Sequence, residues 1–184
     1  MLIFLSVVFI LIIAAFVFLI MSYNSLCKAS VRVDNSWSQI DVQLKKRYDL
    51  IPNLVKLVKA YMTFEDNTLQ KIVSLRNNAY KTTDPQQKIS DNDELTRSLH
   101  GIFLSAENYP ELASNKNFLS LQTELSNIES KIAMSRQFYN DTVMKYNEKI
   151  VAFPTNIIAV KLGYEQRPYF AADKNVENVP DIDL

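Results

Sequence analysis

The sequence predicts an all-α fold: an N-terminal transmembrane helix followed by an antiparallel up-and-down four-helix bundle with two long helices. Three observations lead to this prediction. Residues 2–21 carry no charge, apolar residues recur every three or four positions over most of the remaining chain, and only two glycines occur among 184 residues. Because tight strand connections and phosphate-binding loops use glycine at positive φ, this composition disfavours β-rich and nucleotide-binding folds.

The apolar run at residues 2–21 is long enough to cross a bilayer. Twenty helical residues at about 1.5 Å each span roughly 30 Å, the thickness of the hydrocarbon core. A cleaved signal peptide is the alternative, but it would have a basic N-terminal flank, whereas the first basic residue here is Lys28. We therefore expect residues 1–22 to form an uncleaved membrane anchor.

The charges that flank the anchor predict its orientation. Basic residues occur only after the apolar run, first at Lys28 and Arg32. Lys and Arg accumulate on the cytoplasmic side of membranes, so we expect a single-pass protein of the cell inner (cytoplasmic) membrane, with its N-terminus outside and the bundle in the cytoplasm. The single cysteine, Cys27, cannot form an intrachain disulfide. It is either an unmodified thiol or a site of acylation.

Apolar periodicity predicts four helices within a bundle of residues 23–152, at about 29–62, 65–80, 85–108 and 118–151. The apolar face of the first is made of Trp37, Ile40, Leu44, Tyr48, Ile51, Val55, Val58 and Met62. Pro52 removes one helical hydrogen bond, but the pattern continues beyond it, so we expect a kink and not an end. Heptad spacing from Phe118 to Tyr146 predicts coiled-coil-like packing of the fourth helix.

Two segments follow the predicted bundle. Alternating helix directions return the chain to the membrane side, so residues 153–170, which begin with Phe153 and Pro154, are expected near the lipid surface. Four of their aromatic residues lack helical spacing: Phe153, Tyr164, Tyr169 and Phe170. These either fold back onto the bundle or form an interfacial belt or subunit contact. Residues 171–184 are polar and acidic, and are predicted to be disordered.

Two arginines fall on predicted apolar faces, Arg47 on the first bundle helix and Arg136 on the fourth. A buried guanidinium is costly unless a carboxylate or several carbonyls pair with it. Glu129 lies at the margin of the face that carries Arg136, as do Asn140 and Asn147. We therefore predict that Arg47 pairs with Glu129 across the bundle. The alternative is that both arginines extend their charged ends to solvent.

The residue pattern indicates no enzyme, metal site or cofactor. His100 is the only histidine, and the single cysteine cannot complete a zinc site with it. No nucleophile motif or Gly-rich phosphate loop occurs. The 20 basic and 20 acidic residues balance, so no overall field points to nucleic acid. We expect a non-enzymatic protein without catalytic residues, metal ligands or cofactor.

Three blocks of the chain are distinctive: "WSQIDVQLKKRYDLIPNLVKLVKAY", "AENYPELASNKNFLSLQTELSNIESKIAMSRQFYNDTVMKYN" and "AFPTNIIAVKLGYEQRPYF". In this order and spacing they resemble the LemA family of bacterial membrane-anchored proteins. The resemblance implies a single N-out span and a cytoplasmic LemA-like bundle, and it carries over no catalytic residue. The residues expected to have structural or interaction roles are Trp37, Arg47, Asp49, Pro52, Asn53, Glu129, Arg136, Tyr139, Asn140, Phe153, Pro154, Tyr169 and Phe170.

The leading functional hypothesis is a non-enzymatic inner-membrane scaffold that self-associates and organises other membrane proteins. It rests on spare aromatic surface and on the apolar face of the first bundle helix. That face widens from Leu50 onward, where a second apolar row joins it: Leu50, Leu54, Leu57 and Tyr61. The alternatives are a monomeric membrane-anchored adaptor for a partner such as a membrane protease, and a lipid-surface sensor that acts through residues 153–170. The expected partners are therefore the membrane, a second copy of the chain and other membrane proteins, without nucleic acid.

Overall fold

The computed structural model describes residues 1–61 and 66–170 of the chain. Within those residues it contains six α-helices and no β-strand, so the predicted all-α class is confirmed. In chain order the helices are α1 (Leu2–Tyr61), α2 (Asp66–Lys81), α3 (Pro85–Ala106), α4 (Pro110–Ala113), α5 (Lys116–Val151) and α6 (Thr155–Lys161). The predictions for Met62, Glu65 and the tail at 171–184 lie outside the described residues, and the proposed domain boundaries stay predictions.

Helix α1 joins the apolar run and the first predicted bundle helix into one helix of 60 residues. The sequence "SYNSLC" between them contains neither glycine nor proline, so nothing there interrupts the helical hydrogen bonds. Pro52 lies inside α1, which continues to Tyr61 as predicted. In the described part of the chain, this is the one helix long and apolar enough to cross a membrane, and the side chains of its apolar segment are exposed. It anchors the chain as a single-pass protein, while its orientation stays a prediction.

Residues 39–136 form one compact unit. It combines residues 39–61 of α1, helices α2 to α4 and residues 116–136 of α5 around an apolar core. The core side chains are Ile40, Leu44, Tyr48, Ile51, Leu54, Val55, Val58, Leu69, Ile72, Ala79, Leu95, Leu99, Ile102, Ala106, Leu112, Phe118, Leu125, Ile128 and Ile132. Of the eight residues predicted for the apolar face of α1, the six from Ile40 to Val58 are therefore buried here, whereas Trp37 is half-buried in the other unit. Val73, next to buried Ile72 on α2, is 39% exposed.

Local signals place the helix starts in this unit. Helix α3 begins at Pro85, the position where a missing backbone N–H costs nothing. Asn115 precedes α5, and its side-chain Oδ1 accepts hydrogen bonds from the backbone N–H groups of Asn117 and Phe118, at 2.9 and 3.3 Å. This is an N-cap, which satisfies two donors that have no partner inside the helix.

The second unit contains residues 1–38 and 137–170. Its core side chains are Leu26, Val33, Tyr139, Val143, Tyr146, Ile150, Ala159 and Phe170. Helix α6 ends in a Schellman motif: the backbone N–H of Tyr164 donates to the Ala159 carbonyl at 3.0 Å, and that of Gly163 donates to Val160 at 3.3 Å. Gly163 has φ +72°, a conformation that glycine adopts without strain. The motif leads the chain into residues 164–170, which we call the strap.

Candidate functional site

The predicted Arg47–Glu129 pair forms inside the unit of residues 39–136. Arg47 is 3% exposed, and its Nη1 lies 2.9 Å from Oε2 of Glu129. The same Glu129 oxygen has no well-aligned hydrogen bond, so the contact is mainly between charges. Nη2 of Arg47 donates a hydrogen bond to the Thr96 hydroxyl at 2.8 Å. One guanidinium thus connects α1 to both α3 and α5.

Burial and the neighbouring carboxylate shift the pKa of Arg47 in opposite directions. Burial lowers the pKa of its guanidinium below the usual value, and the neighbouring Glu129 carboxylate partly offsets that effect. Because arginine remains protonated in proteins, the folded unit keeps a positive charge in its interior. Glu129 and Thr96 are the groups that compensate for the water that this charge loses.

Arg136 pairs with a different carboxylate from the one that contacts Arg47. Its Nη2 donates to Oδ1 of Asp93 on α3 at 2.9 Å, and both side chains are about a quarter exposed, at 26% and 27%. Arg136 thus pairs with a carboxylate while about a quarter of its side chain stays exposed. The two arginines connect α1 and α5 to the same helix, α3, through separate polar partners.

A neutral hydrogen bond lies next to these pairs. Nδ2 of Asn92 donates to the Tyr48 hydroxyl at 2.6 Å and to the Lys88 carbonyl at 2.7 Å. Burial raises the pKa of Tyr48 to about 12, although the hydrogen bond from Asn92 lowers it. The Tyr48 backbone carbonyl accepts a hydrogen bond from Nε of Arg76 at 3.2 Å. Lys88 also forms an ion pair with Asp41.

The α3 residues of this cluster were missed by the sequence reading. Asn92 lies three residues after Ile89, and Thr96 lies four residues after Asn92. Both therefore lie on the apolar face of α3. Polar side chains in that stripe are the signal that could have identified them as partners of the buried arginine.

In the second unit, two asparagines hold the strap. Asn147 donates through Nδ2 to the Arg167 carbonyl and accepts from the Arg167 N–H, both at 2.9 Å. Asn140 makes the same pair of bonds with Phe170, at 3.1 and 2.8 Å. Seven helical residues rise about 10.5 Å, close to the roughly 10 Å that three extended residues span. The heptad spacing of the asparagines therefore matches the spacing of the strap residues that they bind.

Aromatic contacts hold the C-terminal end of the strap, Phe170, against α1 and α5. Phe170 is 7% exposed and stacks on Trp37 with a centroid distance of 5.6 Å. Tyr139 contacts both rings edge to face, at 5.9 Å from Trp37 and 4.9 Å from Phe170. The Tyr139 hydroxyl donates to the Pro168 carbonyl at 3.3 Å. Of the two alternatives for the aromatic residues, folding back therefore applies to Phe170.

Other predicted site residues lie outside both clusters. Asp49, Pro52 and Asn53 are exposed on α1. Phe153 is 80% exposed and Tyr169 46% exposed, so these two do not fold back into the core. Pro154 is half-buried at the start of α6. No contact assigns a function to these positions.

A cavity of about 560 Å³ opens beside Arg47 in the unit of residues 39–136. Its apolar lining is Leu99, Phe103, Leu104 and Leu125, and its polar lining includes His100, Glu107 and Glu129. Across residues 1–61 and 66–170, no three His, Cys, Asp or Glu side chains lie close enough together to hold a metal ion. The expectation of a protein without metal or cofactor stays a prediction.

The anchor, the helical units and the polar contacts between their helices define a membrane-anchored helical protein. Residues 36–184 match the LemA family, and the chain belongs to that family. The resemblance seen in the three sequence blocks is therefore confirmed.

Named relatives extend this assignment. The Protein LemA of Metamycoplasma hominis is 31% identical over 164 residues, which cover 87% of this chain and 73% of that protein. Magnetosome proteins MamQ 1 and MamQ 2 of Paramagnetospirillum magneticum are each 23% identical over 193 residues, covering 90% of this chain and 71% of the relative. The similarity to MamQ is thus more distant but extends over a similar length.

Proposed function

We propose that the protein is a non-enzymatic membrane scaffold that self-associates and organises other membrane proteins. The observation that carries this proposal is the use of its buried polar groups. Arg47 contacts Glu129 and Thr96, and Arg136 contacts Asp93, so these charges bind neighbouring helices. Polar groups that pair in this way fix the positions of the helices that carry them.

The surface available for self-association differs from the one that the sequence suggested. Much of the widened face of α1 is buried inside the unit of residues 39–136, where Leu54 and Val58 are fully buried, whereas Tyr61 at its end is 40% exposed. Apolar side chains remain exposed on α5, among them Met144 at 43% and Val151 at 58%. These two residues are a heptad apart and share one side of the helix.

Native mass tests self-association directly. Full-length protein, gently extracted from membranes, is measured by light scattering with the detergent contribution subtracted. The scaffold predicts a defined species of several chains whose mass is stable on dilution. A mass near the 21.2 kDa of one chain contradicts self-association and favours the adaptor.

The adaptor is the second candidate because the cavity beside Arg47 offers a place for a partner. Its apolar and charged lining suits an amphipathic segment, which would place its apolar side in the groove. Leu104 lines the cavity and is 53% exposed, so Leu104→Glu changes the groove without disturbing the core. Leu119 is 46% exposed and lies outside the cavity lining, which makes Leu119→Glu the matched control.

Crosslinking in membranes distinguishes the adaptor from the scaffold. The adaptor predicts a partner that crosslinks to the wild type and to the Leu119→Glu variant, and that is lost from the Leu104→Glu variant. A partner retained equally by all three proteins does not use the groove, and the adaptor hypothesis then fails at this site.

The lipid-surface sensor is supported by α6. Phe153 and Val160 next to and within α6 are 80% and 78% exposed. Ile158 and Leu162 line a cavity together with Leu19 of the apolar run, so α6 lies beside the end of the anchor. We expect Phe153→Ser with Val160→Ser to weaken the contact of α6 with lipid, measured by quenching of an α6 probe with lipid-borne quenchers. Unchanged quenching would remove the sensor hypothesis.

A further inference from the structure

A basic cavity of about 300 Å³ lies between α1 and α5 in the unit of residues 1–38 and 137–170. Its charged lining is Lys28 and Arg32 of α1 with Lys145, Glu148 and Lys149 of α5. Four cations and one carboxylate give the lining a net charge of +3. All four cationic side chains are exposed, so their charged ends reach solvent or lipid.

The structure leaves this charge without a counter-charge. Within the described residues, none of the four cations lies within 4.0 Å of a carboxylate. On each helix the two cations are four residues apart, a spacing at which like charges repel. The polar contact that the structure gives them is from Nζ of Lys149 to the Ser25 hydroxyl, at 2.8 Å. An anion in the cavity would relieve this repulsion.

The Ser25 contact also gives the depth of the site. The apolar run ends at Met21, and Ser25 follows about 6 Å further along the helix. The headgroup layer extends roughly 5–8 Å beyond the hydrocarbon core, so the Lys149 ammonium lies at the level of lipid headgroups. Lys28 is about 10 Å beyond Met21, but its side chain tilts toward the helix N-terminus and can extend toward the membrane.

We propose that this cavity binds the phosphate of an anionic phospholipid in the leaflet that faces the helical body. Ammonium and guanidinium groups both donate charge-assisted hydrogen bonds to phosphate oxygens, and Arg32 can donate two in parallel. A lipid is favoured over free phosphate because the cations lie where lipid phosphates are concentrated. The site is independent of self-association, since it is complete within one chain.

Lys145 and Lys149 provide the decisive test. Lys28 and Arg32 follow the anchor directly and could be explained by membrane orientation alone. Lys145 and Lys149 are more than 110 residues away from Lys28 and Arg32 in the sequence and reach the site only through the fold. A function in binding lipid therefore predicts that removing the α5 pair reduces lipid selectivity, whereas an effect of orientation does not.

The experiment uses the full-length protein reconstituted in vesicles of equimolar phosphatidylcholine and phosphatidylglycerol. After gentle extraction, native mass spectrometry counts the two lipids that stay bound. We expect the wild type to retain phosphatidylglycerol preferentially, and K145Q/K149Q to lose about five-fold in preference for each charge removed. The K28Q/R32Q variant tests the α1 half of the site in the same way. Circular dichroism confirms that the variants keep their helices.

The matched control is K45Q/K46Q, which removes two exposed charges from α1 about 36 Å beyond Met21. Its lipid preference should equal that of the wild type. The proposal is overturned if K145Q/K149Q retains the wild-type preference, or if K45Q/K46Q loses as much. It is also overturned if inorganic phosphate displaces the lipid while chloride at equal ionic strength does not, because the cavity is then a site for free phosphate.

Discussion

The two units stabilise their polar interiors by different chemistry. In residues 39–136, charged side chains pair across helices, and Arg47 brings a full charge to a position that is 3% exposed. In the unit of residues 1–38 and 137–170, the neutral amides of Asn140 and Asn147 bind the strap backbone. A buried charge that loses its partner stays costly, because the charge cannot leave the interior. A strap that loses an amide partner can move into water.

The comparison predicts that, of the substitutions considered, Glu129→Gln lowers the free energy of unfolding most. Gln keeps the shape of Glu but removes the charge that compensates for buried Arg47. Because the Glu129 side chain is itself 41% exposed, water compensates in part. We expect a loss of about 1–2 kcal/mol in the free energy of unfolding, below the 3–5 kcal/mol that is typical when a fully buried pair is broken. For a chain of this length, each kcal/mol lowers the melting temperature by roughly 2–4 °C.

A double-mutant cycle with Arg47→Met identifies the cause of that loss. Met fills space without a charge, so Glu129→Gln should cost much less when Arg47 is already Met. A coupling of about 0.5–3 kcal/mol is normal for residues in direct contact. Equal costs of Glu129→Gln in the two backgrounds would show that the pair contributes nothing to stability.

Release of the strap is the next largest effect. Asn147→Ala removes two hydrogen bonds to Arg167, each contributing about 1 kcal/mol. Since the strap can move away and its backbone groups then regain water, we expect a loss of about 1 kcal/mol in the free energy of unfolding. The more specific readout is amide hydrogen exchange, which should accelerate at Arg167 more than at Phe170. Asn127→Ala, an exposed substitution on the same helix, is the control. Unchanged exchange at Arg167 would contradict the role given to Asn147.

The buried tyrosine hydroxyls give a comparison by pH. Burial raises the pKa of Tyr48 to about 12 from about 10 in the unfolded chain, so the native state holds its proton more tightly. The resulting stabilisation is complete below pH 10 and is lost as the pH rises from about 10 to 12, by at most about 1.4 kcal/mol per pH unit. Tyr48→Phe should remove that slope and cost about 1 kcal/mol at neutral pH through the lost bond with Asn92.

Tyr139→Phe tests the pH dependence of stability in the other unit in the same way. Burial also raises the pKa of Tyr139, while nearby Arg167 lowers it. We therefore expect a slope of the same sign. Chemical denaturation between pH 8 and pH 12 compares each variant with the wild type, and parallel curves would mean that the hydroxyl in question does not contribute to the pH dependence.

The sequence predicted the long elements well, and the reason is local. The start of α3 at Pro85 and the buried face of α1 follow from proline geometry and from helical periodicity, which neighbouring residues encode. The short helices α4 and α6 were not predicted, because elements of four and seven residues show too few turns for a periodic pattern. Their ends depend on contacts such as the Schellman motif at Gly163.

The polar sites were predictable only where the side chains of both partners fell on or near a predicted apolar face. Arg47 and Glu129 both fell on or near apolar faces, so the search for a partner of a buried charge found the correct pair. Asn140 was identified, but its partner is the backbone of Phe170, which has no signature in the sequence. Likewise, counting charges near the anchor finds Lys28 and Arg32, whereas Lys145 and Lys149 join them only in the folded unit.

The smallest predicted effect sharpens the comparison between charge pairs. Lys71 and Glu94 lie 2.9 Å apart, the same distance as Arg47 and Glu129, and the two acids are almost equally exposed, at 42% and 41%. The difference is in the cations, since the Lys71 side chain is 59% exposed and that of Arg47 is 4% exposed. Without Glu94, Lys71 regains water, so Glu94→Gln should leave the melting temperature unchanged within error.

Lys71 nevertheless affects the titration of the Glu94 carboxyl. The hydrogen bond and charge of Lys71 hold the pKa of the Glu94 carboxyl below its usual value. The stabilisation linked to this shift is small because both side chains are largely exposed. It is present above the usual pKa of a glutamate and is lost as the pH falls through the lowered value. Thermal unfolding of Glu94→Gln beside Glu129→Gln therefore separates distance from burial. Equal losses would show that distance decides, whereas a loss confined to Glu129→Gln would show that the buried cation does.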